Sequence, residues 1–427
     1  MKLFKYMAVS LCLTLPLGAA DAQKTSSKEL QNTYNEVKAM FTELSPKVIR
    51  PAEGYLKYPY LIPAGFYQQM WDWDGFFMGS YFCTKGKPEY LKYWALNFFA
   101  NIDDKGYVSG CATTKGPRPI FGDFSMKPFL AQGTLIASET MNDFEWVRPY
   151  YDKLKLSLDY REKIQQDKAT GLFFWQNGFQ SGADNNIALN IFEQDTRRFL
   201  ACDASTLQER EYKALAVIAK HLGFNNDAAD YSQRAEKLAA AINKYLWCDA
   251  DKMYYNVEIG TGKWYKRVSY SNFWPLFDRL ASVKDGQAML KKYLLNPNYM
   301  KAACGFRSLS ASDPDYNNKN IIVPFSNWQG PIWINANYIQ AMTLKLYGME
   351  KEIPWLAQTL GKMLLSDYKA NGSLHESYNA DTGEPLAPDK SYVDKEGKFI
   401  GFISWDLCLE EIFQGLVDNH WNTLEIK

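Results

Sequence analysis

Ten stretches of this chain set apolar residues at i, i+3, i+4 and i+7, and short Gly- or Asx-marked breaks separate them. That spacing predicts helices with one buried stripe, and helix packed on helix is the arrangement that covers all the stripes. The stretches are 27–43, 87–102, 127–141, 144–166, 205–222, 227–246, 285–295, 330–347, 352–368 and 402–417. Shorter helices are expected near 187–200 and 270–281. Asp143, Ser205 with Gln208, and Asn225–Asp227 stand where N-caps belong. Gly223 and Gly348 stand where helices end. Between helices a loop pattern recurs: an acid or Asn, a few residues, often Gly, then aromatics. Its copies are DDKGYV (103–108), DKATGLFFW (167–175), DADKMYY (249–255) and NADTGEP (379–385), the last without aromatics. Each reads as a tight turn or short hairpin. Their uneven spacing argues against a linear solenoid of fixed period. About twelve helices in helix–turn–helix units imply a closed all-α toroid. No Pro/Ser-rich linker interrupts residues 23–427, which are expected to form a single domain. The polar stretch 380–400 reads as a lid or a plain surface loop.

The 48 basic and 48 acidic residues cancel, and no long single-sign run occurs. Nucleic acid and anionic membrane are therefore poor partners. With 13 Trp and 28 Tyr the chain suits an uncharged polar ligand, whose C–H faces stack on aromatic rings. Residues 1–22, MKLFKYMAVSLCLTLPLGAADA, carry two lysines, an apolar stretch and the small-residue site Ala20-Asp21-Ala22. This is the pattern of a signal peptide cleaved before Gln23, so the protein is expected to be exported, periplasmic or secreted. Cys12 follows Leu11, not the small residue that lipid modification needs. After Gln23 no apolar run approaches the ~20 residues of a membrane span. Cys83, Cys111, Cys202, Cys248, Cys304 and Cys408 form no CxxC pair and read as buried free thiols.

Four clusters stand out in the breaks. FYQQMWDWDGFFMG (66–79) alternates two acids with two tryptophans. Capping explains one Asp, but hardly both beside Trp71 and Trp73; a sugar wall with Asp74 accepting from hydroxyls explains the set. QSGADNN (180–186) places Asp184 in a small polar turn, which helix capping alone also explains. FSNWQGPIWINANYI (325–339) breaks at Gln-Gly-Pro and starts a helix, leaving Trp328, Gln329 and Trp333 at its mouth. NGSLHESYNADTGEP (371–385) holds Glu376 before Tyr378, where an exposed loop Glu is the ordinary case. His221, His375 and His420 are the only histidines. A His-based metal site or Ser-His-Asp triad is thus disfavoured, and no GxGxxG or GxxxxGK occurs. His375 either orients Glu376 or has no role. Two acids far apart in sequence, Asp184 and Glu376, amid aromatics match glycoside hydrolysis: one acid protonates the leaving oxygen, and one carboxylate activates water or attacks the sugar.

Taken together, these motifs resemble glycoside hydrolase family 63 α-glycosidases and mannosylglycerate hydrolases, with trehalases as more distant kin. WDWDGFF looks like W-x-W-D-S-x-F, SGADNN like S-G-x-D-N-S, NWQGPIWIN like Y-W-R-G-P-x-W, and HESYNADTGEP like E-x-Y-x-x-x-T-G. The resemblance, spanning about residues 55–417, implies an (α/α)6 barrel and hydrolysis of α-linked glucosides or mannosides with inversion. It implies Asp184 as general acid and Glu376 as general base. Tyr67, Trp71, Trp73, Asp74, Gln180, Asn185, Trp328, Gln329, Trp333, Tyr378 and Trp405 become substrate contacts. No cofactor is required; a structural calcium is compatible but has no motif. Gln180, Asn186-Ile187-Ala188 and Gln329 depart from the usual Glu, Ser-Pro-Arg and Arg, and SMKPFLA (125–131) lacks the Gln of Q-P-P. Losing that Arg disfavours a carboxylated aglycone, because Arg is the usual bidentate carboxylate partner. The competing classes are a polysaccharide lyase or unsaturated-uronide hydrolase on a similar toroid, a sugar epimerase, and a binding protein without turnover. Scarce histidine weighs against the lyase and the epimerase.

Overall fold

The computed structural model describes residues 27–65, 67–189, 198–321, 326–387, 393, 396 and 399–426. The expected signal peptide lies outside them. Thirteen α-helices occur among the described residues. They are α1 (Ser27–Leu44), α2 (Asp72–Thr84), α3 (Glu89–Asn101), α4 (Leu130–Met141), α5 (Tyr151–Gln165), α6 (Gly178–Ser181), α7 (Cys202–His221), α8 (Asn225–Tyr245), α9 (Trp274–Phe277), α10 (Val283–Met289), α11 (Ile334–Leu346), α12 (Ile353–Asn371) and α13 (Cys408–Val417).

Six of them close a ring. α2 touches α4, α4 touches α7, α7 touches α9, α9 touches α11, α11 touches α13, and α13 returns to α2. α1, α3, α5, α8, α10 and α12 alternate with these along the chain and form the outer layer. Burial follows the layers. Every residue of α2 from Asp72 to Cys83 is buried, whereas in α8 only Tyr231, Ala235, Leu238 and Ile242 are. The outer helices therefore carry a stripe and the inner ones are covered all round. Two ring helices are absent from the periodic stretches: α2, and the one-turn α9, which lies within the short helix expected near 270–281. Residues 72–79, expected in a loop, lie in α2, whose run FFMGSYFC has no polar face to reveal a period.

Other boundaries move for local reasons. α7 begins at Cys202, so Ser205 and Gln208 lie inside it. Ser205 Oγ accepts instead from the Phe173 backbone N–H at 3.0 Å. Of the helix expected near 187–200 only the ends are described, and Phe199–Leu200 is a strand pairing with Asn256–Glu258. Gly223 and Gly348 end helices in left-handed backbone, with φ of 82° and 68°. Cys83, Cys111, Cys202, Cys248 and Cys408 are buried and Cys304 half-buried, all as free thiols.

The links between layers are unequal. Inner-to-outer links are short, as at Lys85–Pro88 and Leu222–Phe224. Outer-to-inner links are long and carry the small sheets: Met70–Trp71 with Cys111–Thr113 and Gly116–Arg118, and Ser377–Tyr378 with Pro385–Ala387. All four copies of the recurring loop pattern fall in these long links, after α3, α5, α8 and α12. Each is a tight turn, with Gly106, Gly171, Lys252 or Gly383 in left-handed backbone. The irregular repeat in the sequence is thus a regular position in the ring. No helix among the described residues is long and apolar enough to cross a membrane.

Candidate active site

The long links and the first turns of the inner helices converge on one cavity of about 140 Å³. A void of about 150 Å³ holds one benzene, so this one is sized for a single six-membered ring. Tyr67 and Trp71 reach it from the first link, Trp73 and Asp74 from the head of α2, and Asp184 from the turn after α6. Trp333 precedes α11, Glu376 lies in the link after α12, and Trp405 stands in the 3₁₀ turn Ser404–Leu407 before α13. Aromatic rings bound most of the wall. Trp73 meets Trp405 edge-on at 5.3 Å between centroids, and Trp405 packs on Phe402 at 4.7 Å.

The turn holding Asp184 is built by its neighbours. Asn177 caps α6, its side chain accepting from the Gln180 N–H. Gly182 follows at φ 87°, where a Cβ would come within 2.6 Å of both Lys127 Cε and Trp73 Cζ2. The turn therefore needs Gly both for its backbone and for the close approach of the wall. Asp184 is half-buried and opens on the cavity. Ser326 donates to its Oδ2 twice, from Oγ at 2.8 Å and from its backbone N–H at 3.1 Å. Burial pushes the Asp184 carboxyl up to about 6, against the pull of the two Ser326 bonds and the Lys127 ammonium.

The other two acids are buried. Asp74 Oδ1 accepts from Ser404 Oγ at 2.7 Å. Burial raises this carboxyl to about 7, opposed by Ser404 and Lys127. Glu376 stands well above the usual carboxyl range, first from burial and then from the charges of Asp184 and Asp74, with a hydrogen bond to Tyr67 opposing. Its Oε2 is buried without a hydrogen-bond partner. A general base must be ionised, and burial among acids works against that in this cavity. Of the three, Glu376 is the one whose proton the charges of the other two favour.

Five predicted contacts lie behind the wall, not on it. Gln180 is fully buried, its Oε1 accepting from the Gln176 N–H at 2.6 Å, so it braces the α6 turn. Asn185 Oδ1 accepts from the Trp328 N–H at 2.6 Å, and Gln329 Nε2 donates to the Asn185 carbonyl at 3.1 Å. Both residues tie the Asp184 turn to the segment before α11. Trp328 stacks on Trp333 at 4.0 Å and backs it. Tyr378 donates to Asp367 Oδ2 at 2.8 Å. His375 does not orient Glu376; its Nδ1 lies 2.9 Å from Asp367 Oδ2, and its ring stacks on Phe399. Polar side chains next to a catalytic-type acid satisfied backbone groups here, as buried polar groups usually do.

Sequence reasoning missed Lys127, Ser326, Ser404, Phe121, Phe179 and Phe402. Lys127 carried a usable signal, a lone cation in the apolar run MKPFLA. It is 2% exposed, and its Nζ meets Asp72 Oδ1 at 3.1 Å while lining the cavity. Ser326 and Ser404 carried none, since only the fold brings them to Asp184 and Asp74. Among the described residues no group of three or more His, Cys, Asp or Glu could hold a metal ion.

Residues 67–393 match the family model described as the mannosylglycerate hydrolase MGH1-like glycoside hydrolase domain. The chain belongs to this glycoside hydrolase family. The match spans four of the six long links and reaches into the sixth. The cytosolic neutral trehalase of Kluyveromyces lactis is 22% identical over 435 residues, covering 85% of this chain and 56% of that one. The mannosylglycerate hydrolase of Rubrobacter radiotolerans is 26% identical over 155 residues, 36% of this chain and 34% of that one. The chain thus spans only part of the length of these curated relatives. Among solved structures, the GH63 mannosylglycerate hydrolase of Thermus thermophilus in complex with glucose superposes with a TM-score of 0.66 at 17% identity, over 87% of this chain and 98% of that one. The neutral trehalase of Saccharomyces cerevisiae superposes at 0.62 and 16%, over 86% and 74%. The MGH1-like domain has the (α/α)6 barrel of these neighbours, and its GH63-like character agrees with the four motifs.

Proposed function

We propose that this protein is an exported glycoside hydrolase that removes a terminal α-linked glucose, or mannose, with inversion. One observation carries the proposal: Asp184 and Glu376, from different links, face a single ring-sized aromatic cavity. The sugar stacks among Trp71, Trp73, Trp333 and Trp405, and Asp74 accepts from its hydroxyls. Asp184, held near 6 by burial, gives its proton to the glycosidic oxygen as that bond breaks. Glu376 Oε2, without a protein partner, takes a proton from a water that attacks the anomeric carbon from the opposite face. Hydrogen bonding to that water favours the ionised form that burial disfavours. Product sugar and free aglycone leave, and one proton returns from Glu376 to Asp184 through solvent.

A neutral aglycone is supported over a carboxylated one. Gln329 replaces the Arg expected before Gly-Pro and is spent on Asn185. Lys127, the cation in the cavity wall, is already paired with Asp72. Export rests on the pattern of residues 1–22 alone.

Proton NMR of the mature protein with α-glucosides and α-mannosides, including nigerose, kojibiose, trehalose and mannosylglycerate, tests the reaction. A fresh β-anomer establishes inverting hydrolysis and names the linkage; a fresh α-anomer refutes inversion. Asp184→Asn and Glu376→Gln are each expected to lower kcat by at least ~10³ with the melting temperature retained. Saturable sugar binding without release on any substrate would instead show a binding protein.

A further inference from the structure

Behind the cavity wall lies a second, smaller void of about 20 Å³, between α5, α7 and the segment before α4. It has room for one water-sized or monatomic occupant. Its lining is unusual in what it leaves unmade. Arg161 is 4% exposed, and its Nε and Nη2 have no hydrogen-bond partner. Ser125 Oγ and both amide atoms of Gln208 are likewise buried and unpartnered. Native interiors rarely leave one such atom without a partner, and here five surround one void.

The guanidinium has no carboxylate in ion-pair contact among the described residues and is compensated only at longer range, by Glu211, Asp72 and Asp203. Arg161 donates from Nη1 to the Met126 carbonyl at 2.9 Å and lies over the Trp175 ring, both neutral partners. The nearby acids, of which Glu211 also lines the void, direct their hydrogen bonds elsewhere. Glu211 accepts the backbone N–H groups of Ala131 and Gln132 on its two oxygens, at 3.0 and 2.9 Å. Asp72 holds Lys127, and Asp203 accepts from Trp175 Nε1 at 2.8 Å. A buried charge without a contacting partner is costly, and a bound counter-ion relieves that cost.

We propose that this void binds a single monatomic anion of the chloride class, held by Arg161, Ser125 and Gln208. Donors dominate the free groups: Arg161 offers three N–H, Gln208 two and Ser125 one hydroxyl, against the Gln208 carbonyl oxygen as the free amide acceptor. A water would use at most two of those donors and bring no charge to the guanidinium. Burial lowers the guanidinium to about 10 against the pull of Glu211, a carboxyl that burial itself pushes up to about 7. Lys127 lines both voids, so the anion sits against the back of the ring-sized cavity.

The test is independent of any substrate. Protein exchanged into sodium gluconate is titrated with sodium chloride or bromide at constant ionic strength, and its melting is followed by calorimetry. A saturable halide-dependent rise in Tm is expected. Ser125→Ala should weaken the halide constant about fivefold, the size of one hydrogen bond, and Arg161→Gln should abolish the response. If Arg161→Gln does not fold, the Ser125→Ala shift and crystals grown in bromide decide. An anomalous bromide peak between Arg161, Ser125 and Gln208 supports the site. Equal melting in gluconate and halide with no peak there means a bound water only and overturns the proposal. A halide response undiminished in Ser125→Ala, with the peak elsewhere, overturns it as well.

Discussion

Ser326 offers the sharpest handle on the acid–base assignment. Its hydroxyl and backbone N–H both donate to Asp184 Oδ2, and both favour the charged carboxylate. Ser326→Ala removes the hydroxyl and keeps the backbone bond. A hydrogen bond to a charged group contributes ~1.5–3 kcal/mol, which at 1.36 kcal/mol per pKa unit is a rise of about 1–2 units. Asp184 is partly open to the cavity, where solvent replaces some of the lost donation, so the lower end applies. The carboxyl then moves from about 6 to about 7. An acid that must be protonated stays protonated to higher pH, so the alkaline limb of kcat/KM should move up by about one unit. The acidic limb, set by the group that must be ionised, should stay. The assay is kcat/KM against pH at constant ionic strength, with Ser326→Thr as the variant that keeps a hydroxyl. An alkaline limb that stays put or moves down refutes the assignment. Movement of the acidic limb instead would make Asp184 the base.

Two further outcomes follow from the same geometry. Gly182→Ala puts a Cβ against Trp73 and Lys127 at φ 87°; it should cost ~1–3 kcal/mol of stability and lower kcat/KM by displacing the wall, read by calorimetry and kinetics. Asp74 holds its proton to about 7 in the fold against an ordinary value of 3.8, so folding keeps a proton that the unfolded chain releases. Stability is therefore lost as pH rises from about 4 through about 7. Asp74→Asn removes that term: its Tm relative to the parent should climb from pH 4 to pH 8, and a flat difference would refute the burial account.

Most helices of both layers were legible in the sequence from their apolar spacing. The outer helices show their stripe, and the recurring Asx–Gly loops mark the long links. α2 was not legible, because its run FFMGSYFC has no polar face and leaves no period to read. At the site, Asp184 and Glu376 were legible as acids set among aromatics. Gln180, Asn185, Gln329 and Tyr378 shared those motifs, yet their partners are backbone groups and another acid, which only the fold supplies. Trp328 has the right chemistry but stands one ring too deep, behind Trp333. Lys127, Ser326 and Ser404 reach their acids across 55, 142 and 330 residues of chain. Spacing rules extend over a few residues and carry no information at that range.

The bond from Ser404 to Asp74 has a temporal side. It joins the turn before α13 to α2, so the same contact that closes the ring also fixes an acid of the cavity. Each outer–inner helix pair draws on contacts close in sequence and can form early, whereas closure must wait for partners hundreds of residues apart. A chain arrested before closure would hold most of its helices and lack Trp405 in the wall and Ser404 on Asp74. Helical content and a competent cavity are then acquired separately during folding, with the cavity last.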